Sequence, residues 1–141
     1  MSLADTAAEL RRLHAAPELL QVVNVWDVAS AKAIAALHEH EDGLRAQLEE
    51  GLAELPGITV RSRASRRTPT LLMTFDGHAA SDITQSLATG RVLAPSGNFY
   101  ALEASRHLGL GDDGGLRVGL APYTDASDVE RLLEGLRAAL G

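Results

Sequence analysis

The chain has 141 residues, a net charge of −6 and no cysteine, which suits one domain with one hydrophobic core. The negative charge argues against general binding to nucleic acid or anionic membranes, and the missing cysteine excludes disulfides, a thiolate nucleophile and a cysteine-ligated metal. No apolar run approaches the roughly 20 residues that span a bilayer and no secretory signal opens the chain, so we expect a cytoplasmic protein.

The first third of the chain predicts two helices with a strand between them. Residues 4–14 have the spacing of a short amphipathic helix, and the valine-rich stretch 19–25 is typical of a strand. A long helix is predicted over residues 28–55, with Asp27 as its N-cap. One apolar stripe runs along it: Ala33, Leu37, Leu44, Leu48, Leu52 and Leu55. Because a helical glycine costs about 1 kcal/mol, we expect a bend or break near Gly43.

The rest of the chain alternates strands and helices. Strands are predicted over residues 58–61, 69–75, 91–94 and 116–120, and helices over residues 79–88, 99–108 and 125–140. This order predicts an α+β fold, a small and mostly antiparallel sheet with helices on one face. Strand alternation places Leu71, Met73 and Phe75 on one side and Leu72 and Thr74 on the other. The second face is therefore expected to need a partner for its apolar surface.

Four stretches within residues 33–141 resemble the C-terminal small domain of class V aminotransferases, in the cysteine desulfurase and selenocysteine lyase group. They are the helix and Pro56-Gly57 turn of residues 38–58, the strand that opens Arg67-Thr68-Pro69-Thr70, the loop Gly97-Asn98-Phe99-Tyr100-Ala101-Leu102-Glu103, and the strand Gly115-Leu116-Arg117-Val118-Gly119-Leu120 with its turn to Tyr123. The resemblance implies the small-domain fold of fold-type I pyridoxal-phosphate enzymes.

The same resemblance implies one binding residue. Arg117 stands where the family binds the substrate carboxylate, a role suited to a planar guanidinium that forms two parallel hydrogen bonds. The family holds pyridoxal phosphate on a lysine of its large domain, and the desulfurases also use a cysteine. The only lysine here, Lys32, lies in an alanine-rich helical stretch typical of a solvated side chain. We therefore expect no catalytic residue and no cofactor in this chain, and an isolated C-terminal domain that does not catalyse alone.

A shorter resemblance concerns residues 10–37. The string Asn24-Val25-Trp26-Asp27-Val28-Ala29-Ser30-Ala31 is similar to the opening strand and helix of the phosphoenolpyruvate mutase and isocitrate lyase family. It predicts a division into an N-terminal segment, residues 1–32, and a class V aminotransferase-like domain, residues 33–141. An enzyme of the mutase type needs a barrel of roughly 250 residues, so a fragment of one is the least favoured function.

Four other features could carry chemistry. His38, His40 and Asp42 suggest a metal site, but helical positions two apart point about 200° apart, so a solvated face is favoured. Arg61, Arg63, Arg66 and Arg67 could hold a phosphate, although the acidic chain favours a solvated loop. The glycine-rich residues 109–115 precede a strand, which indicates a turn, because a phosphate loop opens a helix. Ser96 has no evident histidine partner for a nucleophile role.

The alternative function is a homo- or hetero-oligomeric interaction module. In that case the surface that meets the large domain in the family would meet a second copy or another protein. The expected partners are thus a homodimer mate or a large domain, with no nucleic acid and no membrane.

Overall fold

The computed structural model describes residue 12, residues 28–64 and residues 67–141. The chain divides into two compact units, Met1–Ile34 and Ala35–Gly141. The helices of the described residues are α1 (Val28–Ala53), α2 (Ala80–Thr89), α3 (Leu102–His107) and α4 (Ala126–Leu140), and the strands are β1 (Ile58–Val60), β2 (Thr70–Phe75), β3 (Ser96–Gly97) and β4 (Gly115–Gly119). Among these described helices, none is both long and apolar enough to cross a membrane.

Most of the N-terminal predictions lie outside the described residues. Of the helix predicted over residues 4–14, only Arg12 is described, and it is helical. The strand predicted over residues 19–25, together with Trp26 and Asp27, lies outside them altogether. The predicted division at residues 32 and 33 stays a prediction.

Helix α1 runs through both of its glycines without a break, so of the bend or break predicted near Gly43, the break is wrong. Leu44, Leu48 and Leu52 are buried along its stripe. Burying each leucine is worth about 1.5–3 kcal/mol, more than the roughly 1 kcal/mol that each glycine costs. At Gly51, a Cβ would meet the end of the Leu133 side chain on α4, which would have to shift to make room for it.

The sheet has the order β1-β2-β4-β3, and every neighbouring pair is antiparallel. The register pairs Leu71 with Val118 and Met73 with Leu116, so these four side chains share one face. They form the core with Phe75 of β2 and with residues of three helices: Leu44, Leu48 and Leu52 of α1, Ile83 and Leu87 of α2, and Val129, Leu132, Leu133 and Leu136 of α4. The α+β prediction is thereby confirmed.

Two predicted elements around β3 are wrong. Residues 91–94 do not form a strand; the edge strand is the short Ser96–Gly97, where a loop was predicted. Arg91 takes a left-handed backbone conformation, φ 62°, as the chain leaves α2. The helix predicted from residue 99 begins only at Leu102, because Phe99 and Tyr100 have φ values of 52° and 65°. Left-handed residues cannot belong to a right-handed helix.

The turn before β4 requires a glycine at position 114. Gly114 has φ +71°, and a Cβ built on it would overlap the carbonyl group of Gly97 on β3. We therefore expect Gly114→Ala to lower the free energy of unfolding by about 2–4 kcal/mol, through strain and a displaced edge strand. Urea unfolding followed by circular dichroism measures this loss.

Gly111 provides the matched control for that change. Its φ is also left-handed, +63°, but a Cβ there would meet nothing within 4 Å. Gly111→Ala should therefore cost only the left-handed backbone term, about 1 kcal/mol. Equal losses for the two variants would show that the contact with Gly97 does not constrain the sheet.

A candidate carboxylate-binding site on the open sheet face

Strand β4 presents Arg117 on the face of the sheet opposite the core. The burial of β4 alternates, with Leu116 and Val118 buried and Arg117 exposed between them. Arg117 pairs with Leu72 of β2, so the two side chains lie on the same, open face. The backbone N–H of Arg117 donates to the carbonyl of Pro95, 2.9 Å away, which anchors this position to the segment before β3. The guanidinium therefore projects from a rigid part of the sheet.

The ring of Phe99 holds the guanidinium of Arg117. The Arg117 Cζ atom lies 4.1 Å from the centroid of the ring. A cation at this distance is attracted by the ring's quadrupole, with a stabilisation of about 0.5–1 kcal/mol at an exposed site. The contact limits the rotamers of a long side chain before any ligand arrives. An arginine restricted in this way loses less entropy when it binds a carboxylate.

Asn98 shapes the backbone that delivers Phe99 to this position. Its side-chain Oδ1 accepts a hydrogen bond from the N–H of Tyr100, 3.1 Å away, and its Nδ2 donates to the carbonyl of Asp112, 3.0 Å away. Its own carbonyl accepts from the N–H of Ala101 at 2.9 Å. Asparagine side chains commonly stabilise tight turns of this kind. The three bonds offset the strain of two successive left-handed residues, Phe99 and Tyr100.

The glycine-rich segment of residues 109–115 supports the same loop. The buried Ser105 of α3 donates its hydroxyl to the carbonyl of Gly111 at 2.7 Å. Arg106 forms two hydrogen bonds to the carboxylate of Asp112, at 2.7 and 3.0 Å. These bonds lower the pKa of Asp112 and raise that of Arg106, although both groups are well exposed. The segment is a turn that leads into β4, as predicted.

Helix α3 borders the open face beside Leu72. Leu72 lines a cavity of about 70 Å³ together with the loop and α3; its other lining residues include Phe99, Ala101, Ala104, Ser105 and Leu108. The open face is therefore partly apolar, as the alternation of β2 predicts. A carboxylate at Arg117 would rest beside apolar as well as polar groups.

The residues present do not fit a covalently held pyridoxal phosphate. Lys32, the only lysine of the sequence, is exposed on α1 within the N-terminal unit. The unit that carries Arg117, Ala35–Gly141, contains no lysine in its sequence at all. The attachment chemistry requires an amine, so it would have to come from outside residues 35–141.

The histidine and aspartate side chains of α1 make separate polar contacts. His40 donates from Nε2 to the carbonyl of Thr124 across a distance of 2.8 Å, and this links α1 to the turn before α4. Asp42 pairs with Arg45 at 2.9 Å, and His38 is exposed. Within the part of the chain that the structure describes, no three such side chains converge as a metal site.

The arginines of the predicted basic loop point to different partners. Arg61 donates from Nε to the hydroxyl of Thr74 at 3.0 Å, and Arg63 is exposed. Arg67 donates to the Glu49 carboxylate and to the carbonyl of Ala64. Burial, and to a lesser extent the nearby Arg45, lowers the pKa of Arg67. Arg66 lies outside the described residues. Arg67 thus links the loop to α1.

Ser96, the candidate nucleophile of the sequence, belongs to the sheet. It lies in β3 and pairs with Leu116 of β4.

The same α+β fold occurs in a solved enzyme. The crystal structure of the cysteine desulfurase CsdA from Escherichia coli superposes with a TM-score of 0.67 at 28% sequence identity, over 74% of this chain and 25% of that one. The family model for class V aminotransferases matches residues 14–132. The chain belongs to the class V aminotransferase family.

Two curated relatives agree with this assignment. An aminotransferase-like protein of Gibberella zeae is 31% identical over 111 residues, which cover 74% of this chain and 28% of the relative. A probable cysteine desulfurase of Pseudomonas putida is 31% identical over 110 residues, which cover 78% of this chain and 26% of the relative. The chain thus spans about a quarter of the length of these relatives. The family match also begins at residue 14, within the segment that resembles the mutase family.

Sequence reasoning named Arg117 but missed the two residues that position it. Phe99 and Asn98 belong to the family-like motif of residues 97–103. Their roles depend on left-handed backbone angles at Phe99 and Tyr100, which the sequence pattern does not reveal. The sequence pattern predicts a helix that begins at Phe99, directly after a loop that ends at Asn98. The signal that was available is Asn98 itself, because asparagine after glycine is typical of a tight turn.

The Asn98 side chain provides a direct test of how Arg117 is positioned. We expect Asn98→Ala to lower the free energy of unfolding by about 1–2 kcal/mol, because two hydrogen bonds are lost from a strained loop. The Nε–Hε resonance of Arg117 should also lose its ring-current shift in NMR spectra, as Phe99 leaves the guanidinium.

Thr89→Ala is the control for this test, since it removes a hydroxyl that bonds to Ser86 at the far end of α2. The control should leave the Arg117 resonance unchanged. An unaltered resonance in Asn98→Ala would mean that Asn98 does not position the Phe99 ring.

Proposed function

We propose that this chain is the C-terminal small domain of a pyridoxal-phosphate-dependent class V enzyme, that it binds a substrate carboxylate through Arg117, and that it does not catalyse by itself. The observation that carries the proposal is the Arg117 guanidinium, held 4.1 Å above the Phe99 ring on an otherwise open sheet face. A cytoplasmic location belongs to the same proposal.

Arg117 contributes binding and orientation. Its planar guanidinium can donate two parallel N–H···O bonds to a carboxylate, and these fix the orientation of the ligand as well as its position. The Phe99 ring covers one side of the guanidinium, so the carboxylate approaches from a side that the ring leaves free. Substrate alignment of this kind contributes to catalysis only when a reacting group is held opposite.

The reacting groups would come from the large domain of the enzyme. Pyridoxal phosphate supplies an electron sink for carbanion chemistry when it is bound, and the amine that holds it would belong to that domain. An amino acid is the substrate class, because its carboxylate suits Arg117 while its amino group remains free. Cysteine and selenocysteine are the candidates within the cysteine desulfurase and selenocysteine lyase group.

Titration of the chain with acetate tests the binding half of the proposal. We expect saturable NMR shifts of the backbone amide resonances of Phe99 and Val118, which report on binding in every variant, with an affinity weakened about tenfold in Arg117→Gln because the charge-assisted pair is lost. Arg117→Lys should recover only part of the affinity, since an ammonium cannot form the bidentate pair. Arg137→Gln is the control, as it removes an exposed arginine on α4.

Addition of pyridoxal phosphate to the same sample tests the other half. The expected result is no turnover of an amino acid in the presence of the cofactor. Equal acetate affinity in Arg117→Gln and the unaltered chain would overturn the role of Arg117. Turnover of cysteine or selenocysteine by the chain with added cofactor would overturn the claim that it does not catalyse alone.

A second candidate function, an oligomeric interaction module, is favoured by exposed apolar side chains. Leu93 and Tyr123 are 90% and 89% exposed, and Tyr100 is fully exposed beside Phe99. Large apolar groups on a surface are commonly covered by a partner when they cluster. A second copy of the chain or the large domain would provide such a partner.

Analytical ultracentrifugation tests the interaction module by measuring the oligomeric state of the chain. The module predicts a concentration-dependent dimer that the double variant Tyr100→Ser and Tyr123→Ser weakens, whereas the exposed-charge variant Glu130→Gln does not. A chain that stays monomeric at millimolar concentration would contradict the proposed homodimer. Arg117 would then keep its proposed role, because carboxylate binding does not require a second copy.

A further inference from the structure

Strand β1 lies at one end of the sheet, and within the described residues only one of its two edges is paired. Just after the strand, the N–H of Arg61 donates to the carbonyl of Leu72 on β2, 2.8 Å away. Because backbone groups alternate in direction along an antiparallel strand, the N–H and C=O groups of Ile58 and Val60 point away from β2. These groups form a free edge to which another extended chain can pair.

A groove lies between β1 and α1 on the side of the sheet that carries the core. Its volume is about 340 Å³, and it is lined by Glu49, Leu52, Ala53, Ile58, Val60, Ser62 and Arg67. Ile58 and Val60 pair with the buried Phe75 and Met73, so their side chains face the core, yet both remain only half-buried. A further strand beside β1 would place an apolar side chain in this groove and cover them.

The charge around the free edge is opposite to that of the whole chain. Residues 55–75 contain four arginines and no acidic residue, although the chain carries a net charge of −6. Arg63 is exposed and Arg61 is half-buried. The carboxylate of Glu49, the acidic group of the groove, is already bonded to Arg67. A negatively charged chain is therefore attracted to this edge, whereas the equally basic edge of a second copy is repelled.

We propose that β1 binds an acidic, extended peptide segment of another protein, which adds a strand to the free edge of the sheet. Its backbone would bond to the outward N–H and C=O groups of Ile58 and Val60, and its residues opposite these two would enter the groove. Its residues opposite Thr59 and Arg61 would lie on the other face and carry the negative charge. The segment that fits thus alternates apolar and acidic residues. This inference does not depend on the carboxylate role proposed for Arg117.

Three synthetic peptides with blocked ends separate backbone pairing from charge. The first is Glu-Val-Glu-Val-Glu, the second replaces each glutamate by lysine, and the third is the first with both valines N-methylated. Hydrogen exchange of the backbone amides is measured by NMR in the 141-residue chain. Near saturation, the first peptide should slow exchange at Ile58 and Val60 about tenfold, and change little at Thr59, whose N–H faces β2.

The two altered peptides should bind at least about tenfold more weakly than the first. N-methylation removes two backbone donors, and lysine replaces attraction to the arginines by repulsion. Equal affinity of the glutamate and lysine peptides would overturn the acidic partner. Undiminished affinity of the N-methylated peptide would exclude backbone pairing at the edge.

Arg63→Glu tests the charge from the side of the protein. It should weaken the glutamate peptide about fivefold and strengthen the lysine peptide, because reversal of an exposed charge turns attraction into repulsion. Arg137→Glu is the matched control, since it reverses an exposed arginine on α4, outside the groove. Equal effects of the two reversals would mean that the peptide responds only to the total charge, which would also overturn the proposed site.

Val60→Pro tests the free edge itself. Proline removes the outward N–H without removing a bond between β1 and β2, so the glutamate peptide should bind about tenfold more weakly. The melting temperature should stay within about 5 °C of the original. If this variant does not fold, the N-methylated peptide decides the same point on the unaltered chain.

Two results would assign the edge differently. Unchanged exchange at Ile58 and Val60 under saturating glutamate peptide would overturn the edge as the binding site. Slow exchange at both amides without any peptide, with a dimer in ultracentrifugation that Val60→Pro dissociates, would assign the edge to a second copy. Either result would leave the acetate titration of Arg117 unaffected, so this inference and the proposed function fail separately.

Discussion

The antiparallel pairing of β2 with β4 is the interaction on which both the core and the candidate site depend. Its register places Leu71 with Val118 and Met73 with Leu116 on the buried face, and therefore Leu72 with Arg117 on the open one. A slip of one residue would turn a guanidinium toward the core and expose two buried side chains. Since burial of an unpaired charge costs far more than the pairing energy of one residue, the core fixes the orientation of Arg117.

The loop after β3 adds the second constraint, and it acts through strain rather than burial. Phe99 and Tyr100 occupy left-handed conformations that cost about 1–3 kcal/mol each. The hydrogen bonds of Asn98 and the turn held by Ser105 and Gly111 keep the loop in this shape. Strain retained beside an arginine is consistent with a site in which the aromatic ring has to stand at one position. The sheet thus positions the backbone of Arg117, and the loop positions its guanidinium.

The sequence predicted the parts of this arrangement that follow from periodicity. The alternation of residues 71–75 gave the two faces, the leucine spacing of α1 gave its buried stripe, and Arg117 followed from the family motif. Periodicity does not report backbone handedness, so Phe99 and Tyr100 were assigned to a helix and Asn98 was left without a role. The edge strand was also misplaced, because a two-residue strand such as Ser96–Gly97 is fixed by its partner β4 and carries no pattern of its own. The continuity of α1 through Gly43 likewise depends on tertiary burial that outweighs local propensity.

An arginine on an open sheet face is only half of a binding site. Exposed to water, a guanidinium and a carboxylate attract each other weakly, because the high dielectric constant reduces their interaction to about 1 kcal/mol at 4 Å. The same pair becomes stronger when a second surface excludes water from it. The Phe99 ring shields one side of the Arg117 guanidinium, and its second side stays exposed. In the proposed enzyme, the surface that closes this second side would also bring the cofactor and the amine that holds it.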